Sequence, residues 1–293
     1  MSAPSPHANG AGDLCAGMSA VLLAGGRGTR LAPYTTVLPK PLMPVGEKAV
    51  LEILVDQLRG VGITDFVFCV GHLAHLIRTL FDSQPRDDVT IDYLHENEPL
   101  GTAGPLRRLP RPAQTFLVMN GDVLTTLDFR DLVSHHRERG NLLTIACKAR
   151  PVQIEYGILS VARSGRNRGR VVGYQEKPRF DLTVSMGIYV LEPEVLDYVP
   201  EGYFDFPDLV VRLLDERLPV GGYLYDGLWF DIGRREDYEE AVAAWAPAPP
   251  ATSAAVPSTP TNGIDLNAQL LESGRTIWRR RVGAGRRSVR GGR

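Results

Sequence analysis

Short apolar runs alternate with helix-length amphipathic stretches along the first half of this chain, and that alternation leaves few folds open. SAVLLAG, DFVFCVG, VTIDYLH, TFLVMNGD and LLTIACKA are strand-length and mostly apolar. AVLEILVDQLRGVG, HLAHLIRTLFD and FRDLVSHHRERG instead place apolar residues at helical spacing, with Leu54, Leu58 and Val61 as a core stripe. A repeated βα rhythm of this kind predicts an α/β fold: a Rossmann-like mixed, mostly parallel sheet flanked by helices. After residue 150 the rhythm changes to the strand-like pieces GILSVA, GRVVGYQEK and VSMGIYVL and two helical stretches near 205–217 and 235–245. The second half is therefore expected to add mixed or antiparallel strands and to complete a cleft.

Composition sets the boundaries. Of the 293 residues 43% are hydrophobic, enough for a large core, and one domain over 18–245 is expected to hold it. Residues 1–17 and the tail 246–293, Pro/Ala-rich and then basic, lack core periodicity and are expected to be mobile. A net charge of -1 gives no global field favouring nucleic acid or anionic lipid, so small molecules are the expected partners, and a homo-oligomer stays open. Cys15, Cys69 and Cys147 are odd in number and show no metal-type spacing, which fits idle thiols in a reducing compartment. No apolar run approaches the roughly 20 residues that span a bilayer, and the N-terminus has no signal-peptide pattern, so a cytoplasmic protein is expected. His72, His75, His135 and His136 lack carboxylate or thiol companions for a metal set and read as surface or helix residues.

The first strand-like run leads into Gly25-Gly26-Arg27-Gly28-Thr29-Arg30-Leu31. Glycines at such a turn let backbone N–H groups approach a ligand closely, which suits a phosphate. From Gly26 the third position of a dinucleotide fingerprint falls on Leu31, and no Gly-Lys-Ser/Thr follows to make a P-loop. Arg30 comes next, and Lys40 stands in Pro39-Lys40-Pro41, where flanking prolines predict extended backbone. A forked guanidinium and a point-charge ammonium together suit the charge that builds on a departing pyrophosphate.

The run LLAGGRGTRLAPYTTVLPKPLMPVGEKAVLE resembles the signature of the sugar-phosphate nucleotidyltransferase family, G-G-x-G-T-R-L-x-P-x-T-x-x-x-P-K-P-L-x-P-V, at every fixed position. The resemblance extends from about residue 18 to 245. It implies catalytic roles for Arg30 and Lys40 and nucleotide contacts from Leu23, Ala24, Gly25, Gly26, Gly28 and Thr29. Asp122 closes an apolar strand read over Phe116–Asp122, and Asp231 ends a similar apolar stretch in Leu228–Gly233; Trp229 and Phe230 are expected to pack beneath the Asp231 loop. The family resemblance makes both aspartates ligands of Mg²⁺, a cation that takes one or two protein carboxylates and completes its shell with water and phosphate oxygens.

Glu176-Lys177-Pro178 is similar to the family element in which a glutamate holds sugar hydroxyls and a lysine meets the sugar's phosphate. Tyr156-Gly157 and Met186-Gly187-Ile188-Tyr189 resemble segments that line the sugar pocket. The run from His95 to Gly104 resembles the base-binding loop, implying nucleotide contacts from Glu96, Gly101 and Thr102, and Glu96 matches a position that thymidylyltransferases often fill with glutamine. A carboxylate accepts two hydrogen bonds from the N1–H and N2–H edge of guanine, whereas thymine or uracil would set carbonyl oxygens against it, so GTP is favoured.

The resemblance thus implies transfer of a nucleotidyl group from a nucleoside triphosphate to a sugar 1-phosphate or a cyclitol 1-phosphate, with release of pyrophosphate. Such a phosphate is already an anion near neutral pH, so catalysis is positioning and charge neutralisation and requires no histidine base. A thymidylyl- or uridylyltransferase of the same family is the alternative. A silent nucleotide-sugar-binding regulator is opposed by intact Arg30, Lys40, Asp122, Lys177 and Asp231. A nicotinamide oxidoreductase would need an acidic residue where Val70-Gly71-His72 stands.

Overall fold

The computed structural model describes residues 14–245; the flank 1–13 and the tail 246–293 lie outside the described residues. Residues 14–17, which the sequence assigns to the mobile flank, belong to the packed body: Cys15 is wholly buried and its carbonyl accepts the N–H of Met18 at 3.1 Å. In chain order the strands begin with β1 (Ser19–Ala24), β2 (Pro44–Val45), β3 (Lys48–Ala49), β4 (Asp65–Val70), β5 (Thr90–His95), β6 (Phe116–Asn120) and β7 (Val123–Thr125). They continue with β8 (Leu143–Gln153), β9 (Ile158–Val161), β10 (Val171–Gln175), β11 (Arg179–Leu191), β12 (Val220–Leu224) and β13 (Trp229–Asp231). The helices are α1 (Val50–Gly60), α2 (Ala74–Ser83), α3 (Phe129–Arg139), α4 (Phe206–Asp215) and α5 (Arg235–Ala244).

The described residues fall into two compact units, one built from 14–147 and 185–245, the other from 148–184. The first contains most of a seven-stranded sheet in the order β12-β8-β11-β6-β1-β4-β5. β6, β1, β4 and β5 run parallel, as do β12 and β8, while β11 lies antiparallel to β6. This is the mixed, mostly parallel sheet that the βα rhythm predicts. Its strands alternate between two cores. Leu22, Phe68 and Met119 face one side with α1, α2 and α3; Val21, Cys69 and Val118 face the other with α4.

Local signals bound the helices. At the start of α1 the Glu52 carboxylate accepts the Ala49 N–H at 2.9 Å, and Asp128 caps α3 by accepting the Arg130 N–H at 2.8 Å. α3 ends where Gly140 enters the left-handed region at φ 58°, a conformation glycine adopts without strain. His136, expected at the surface or on a helix, is on the helix α3 but not at the surface. It is wholly buried, with Nδ1 2.8 Å from the Thr144 hydroxyl and Nε2 3.1 Å from a Glu192 carboxylate oxygen, because its face of the helix turns inward where β8 begins. Among the described residues no helix is long and apolar enough to cross a membrane.

β1 is where the sheet changes direction. The chain proceeds from β1 to β4 and β5 on one side, then returns to place β6 on the other. Open α/β sheets bind ligands beyond the carboxyl ends of the strands at such a switch point. The register aligns those ends: Ala24 pairs with Val70 and Val70 with His95, while Leu23 pairs with Asn120. The next residue along each strand is accordingly Gly25, Gly71, Glu96 or Gly121.

The second unit centres on the antiparallel pair β9–β10, with Tyr174 opposite Leu159 and Gln175 opposite Ile158.

Candidate active site

At the crest of β1 the chain turns into the glycine loop. Among the described residues the backbone N–H groups of Gly26, Arg27, Gly28 and Thr29 have no hydrogen-bond partner. Successive unpaired donors at a strand end form a concave site for an anion. Gly28 sits at φ 60°, and a Cβ there would come within 2.9 Å of Thr35 and 3.2 Å of the Lys40 Cβ. The Thr35 hydroxyl donates to the Gly28 carbonyl at 2.8 Å, so the loop is fastened to the segment that carries the lysine. Arg30 lies on the short helical turn Thr29–Leu31, exposed and with no carboxylate partner among the described residues.

Lys40 is not on extended backbone. Pro39 is extended, but the Leu42 N–H donates to the Pro39 carbonyl at 2.8 Å and the Met43 N–H to the Lys40 carbonyl at 3.1 Å, closing a 3₁₀ turn around the lysine. That turn directs the side chain inward, where it is 11% exposed and pairs with both aspartates: with Asp122 Oδ2 in close contact and with Asp231 Oδ1 at 3.4 Å. From its sequence context Lys40 is expected at the phosphates. The structure adds its role as the cation between the two carboxylates.

The aspartates come from distant chain segments and meet through a two-stranded ladder. β6 ends at Asn120, before the expected point, because Gly121 turns the chain and donates to the Leu23 carbonyl at 2.9 Å. β7 then pairs antiparallel with β13, with Val123 opposite Asp231, and the Ile232 N–H donates to the Asp122 carbonyl at 3.1 Å. Gln57 on α1 donates to the Thr125 carbonyl at 2.8 Å and anchors the ladder to the core. Trp229 is half-buried, and its Nε1–H donates to the Met186 carbonyl at 3.0 Å. The following residue, Gly187, has φ 72°, and a Cβ on it would lie 2.5 Å from the Asn120 amide, so only glycine fits against this strand end.

Burial pushes the Asp122 carboxyl above its ordinary range; Lys40 opposes that shift and the neighbouring Asp231 carboxylate adds to it. Asp122 Oδ1 is buried without a hydrogen-bond partner. Among the described residues no group of three or more His, Cys, Asp or Glu side chains gathers as a metal site. Two carboxylates with one orphaned buried oxygen are nonetheless a hard donor set suited to Mg²⁺, which needs no more from the protein.

Glu96 follows β5, and its N–H donates to the Val70 carbonyl at 2.8 Å. Its half-buried carboxylate turns back over the strand ends: Oε2 accepts the Leu100 N–H at 3.2 Å, and Oε1 lies 2.5 Å from where a Gly25 Cβ would stand. Burial raises its pKa, against the Leu100 N–H and the charge of Arg108. Gly71, which sequence reasoning left without a role, completes this wall; a Cβ there would meet the Gly25 carbonyl at 2.9 Å. Its signal was its place, a glycine directly after the second parallel strand. Gly101 and Thr102 lie in the loop beyond Glu96. Gly101 has φ 78° and packs on the Phe204 carbonyl, whereas the N–H and hydroxyl of Thr102 donate to Asp205 at 2.9 and 3.1 Å. Thr102 thus supports the loop with the groups a ligand would have used.

Within the second unit Gly157 lies against the ring of Tyr174, whose hydroxyl donates to the Glu176 carboxylate in a short contact. Lys177 takes φ 39°, rare for a residue with a side chain, while the Pro178 carbonyl beside it accepts the Ile154 N–H at 3.0 Å. Tyr156 is 79% exposed. This unit therefore gathers Gly157, Glu176 and Lys177 with a tyrosine, Tyr174, that the sequence did not single out.

Residues 19–246 match the family model described as nucleotidyl transferase. The chain is 36% identical over 246 residues to a UTP--glucose-1-phosphate uridylyltransferase of Synechocystis sp., covering 77% of this chain and 62% of that protein. It is 32% identical over 228 residues to a mannose-1-phosphate guanyltransferase of Schizosaccharomyces pombe, covering 75% and 62%. The crystal structure of HddC from Yersinia pseudotuberculosis superposes with a TM-score of 0.60 at 25% identity, over 78% of this chain and 100% of that one. The matched region spans about three fifths of the length of these curated relatives.

Proposed function

This chain belongs to the nucleotidyl transferase family, and we propose that it transfers a nucleotidyl group from a nucleoside triphosphate to a sugar 1-phosphate or cyclitol 1-phosphate, releasing pyrophosphate. The observation that carries this reading is the convergence, at one end of the β1 switch point, of four backbone N–H groups unpaired among the described residues and the Lys40–Asp122–Asp231 cluster. The loop from Gly25 to Thr29, with Leu23 and Ala24 beneath it, holds the nucleotide's phosphates. Arg30, without a carboxylate partner among the described residues, neutralises charge that develops on the leaving pyrophosphate.

Asp122 and Asp231 would hold Mg²⁺, which when bound supplies charge neutralisation at the phosphates. Lys40 stands between the two carboxylates as their shared counter-charge. In the second unit Lys177 takes the sugar's phosphate and Glu176 its hydroxyls, with Tyr156 and Gly157 beside them. The acceptor phosphate is already anionic at neutral pH, so these groups have only to orient it and offset its charge.

The base is guanine in this reading, because the Glu96 carboxylate stands at the strand ends with Oε1 over Gly25 and a second acceptor at Oε2. Gly101 shapes the loop beside it, and Thr102 holds that loop. A uridine nucleotide is the second reading, favoured by the 36% identity to the cyanobacterial protein whose name specifies UTP. Pyrophosphate release from GTP, UTP and dTTP with Mg²⁺ and a panel of sugar 1-phosphates tests both. A kcat/KM highest for GTP supports guanine, one highest for UTP establishes the second reading, and no release with any pair rejects the activity.

A further inference from the structure

Asp205 stands at the N-terminal end of α4, where an aspartate ordinarily caps the helix, yet its side chain makes no bond to the helix. It reaches instead into the loop after Glu96. Oδ1 accepts both the Thr102 N–H at 2.9 Å and the Thr102 hydroxyl at 3.1 Å, and Oδ2 accepts the Tyr203 hydroxyl at 2.7 Å. Thr102 returns the bond, since its hydroxyl oxygen accepts the Phe206 N–H at 2.9 Å and so caps α4 from far along the chain. The backbones are joined as well: Ala103 and Gly104 donate to the Phe204 carbonyl at 2.9 and 2.8 Å, and Phe204 donates to the Leu100 carbonyl at 2.8 Å. Leu100 is the residue whose N–H holds Glu96 Oε2.

Resting on the reading of Glu96 as the base-recognising group, we propose that Asp205 is a positioning residue for nucleotide choice, fixing the 100–104 loop so that Leu100 aims the Glu96 carboxylate. Burial works against the charge on Asp205, but the bonds from Tyr203 and Thr102 outweigh it and hold the carboxyl below its ordinary range. An ionised acceptor of three hydrogen bonds is a stiff anchor. A loop tied at 102 to 104 leaves the Leu100 N–H little freedom, and a carboxylate aimed by one N–H loses its direction when that donor moves. A residue that acts by aiming another changes discrimination between bases; one that only stabilises the fold lowers all activities together.

The test compares kcat/KM for GTP, UTP and dTTP in the full chain and in Asp205→Ala, Thr102→Val and Tyr203→Phe, with Glu96→Ala in parallel and KM for the sugar phosphate as control. The expected result is a roughly tenfold fall in the ratio between preferred and second nucleotide for Asp205→Ala and Thr102→Val, and about twofold for Tyr203→Phe. Sugar-phosphate KM should hold within about twofold. Asp205→Asn, which keeps an acceptor for Thr102, should restore most of the ratio. Combining Glu96→Ala with Asp205→Ala should cost no more discrimination than Glu96→Ala alone. Should Asp205→Ala fail to fold, Thr102→Val and the exposed Tyr203→Phe decide. An unchanged ratio in Asp205→Ala and Thr102→Val, with Glu96→Ala shifting it, overturns the positioning role and leaves Glu96 intact. An unchanged ratio in Glu96→Ala overturns the base reading and this inference together.

Discussion

The backbone N–H of Ile232 donates to the carbonyl of Asp122 at 3.1 Å, and this bond extends the β7–β13 ladder to the point where the two aspartates face one ammonium. The carboxylates therefore meet through main-chain pairing and not through side chains reaching across a cleft. A ladder holds its residues at a fixed spacing, so the cluster is preorganised before any ligand arrives.

Asp122→Asn and Asp231→Asn keep shape and remove charge. Each is expected to reduce kcat by about a hundredfold or more, with far-UV circular dichroism unchanged. Near-wild-type turnover of either variant at saturating Mg²⁺ would show that the pair does not hold the metal.

Lys40→Met leaves the buried end of Asp122 without its counter-charge. Stability without divalent cations should fall by about 1–3 kcal/mol, since removing one partner strands the other. Because a divalent cation can replace the lost charge, Mg²⁺ should raise the melting temperature more in Lys40→Met than in the wild type. Equal increments would refute the account of Lys40 as the cation between the carboxylates.

Gly25→Ala puts a methyl where Glu96 Oε1 now lies, 2.5 Å from the new Cβ. A side-chain end can rotate away, so folding survives and nucleotide preference changes, with kcat/KM for the preferred triphosphate falling about tenfold. Gly71→Ala meets the Gly25 backbone carbonyl at 2.9 Å instead and is expected to cost melting temperature as well. Thermal scans alongside nucleotide kinetics separate the two outcomes.

Burial lowers the pKa of His136 from 6.5, and the bond to Glu192 only partly opposes it. The folded state thus favours the neutral ring. Its contribution to stability is complete above the unfolded value of 6.5 and is lost as pH falls through the lower folded-state value. Melting temperature should drop on acidification below about 6.5, and His136→Gln should flatten that limb. An equally steep limb in the variant would assign the acid sensitivity to other groups.

The sequence by itself determined the layered α/β fold, because the period of apolar residues is a local property that strands and helices impose on the chain. It also marked the glycine loop after β1 and the two aspartates that meet Lys40, since glycines at a strand end and aspartates after apolar runs are visible in a line of letters. Tertiary structure decided what those residues do to one another. The 3₁₀ turn over Lys40–Leu42 set the Lys40 ammonium between the two aspartates. The inward face of α3 buried His136, a residue that looked like surface beside Arg137 and Glu138. Asp205, spaced as a helix cap, bonds a loop 103 residues earlier in the chain. In each case the deciding contact joins segments distant in sequence, and a side chain's partner across such a distance is set by the register of the sheet and the direction of a turn, which no local pattern encodes.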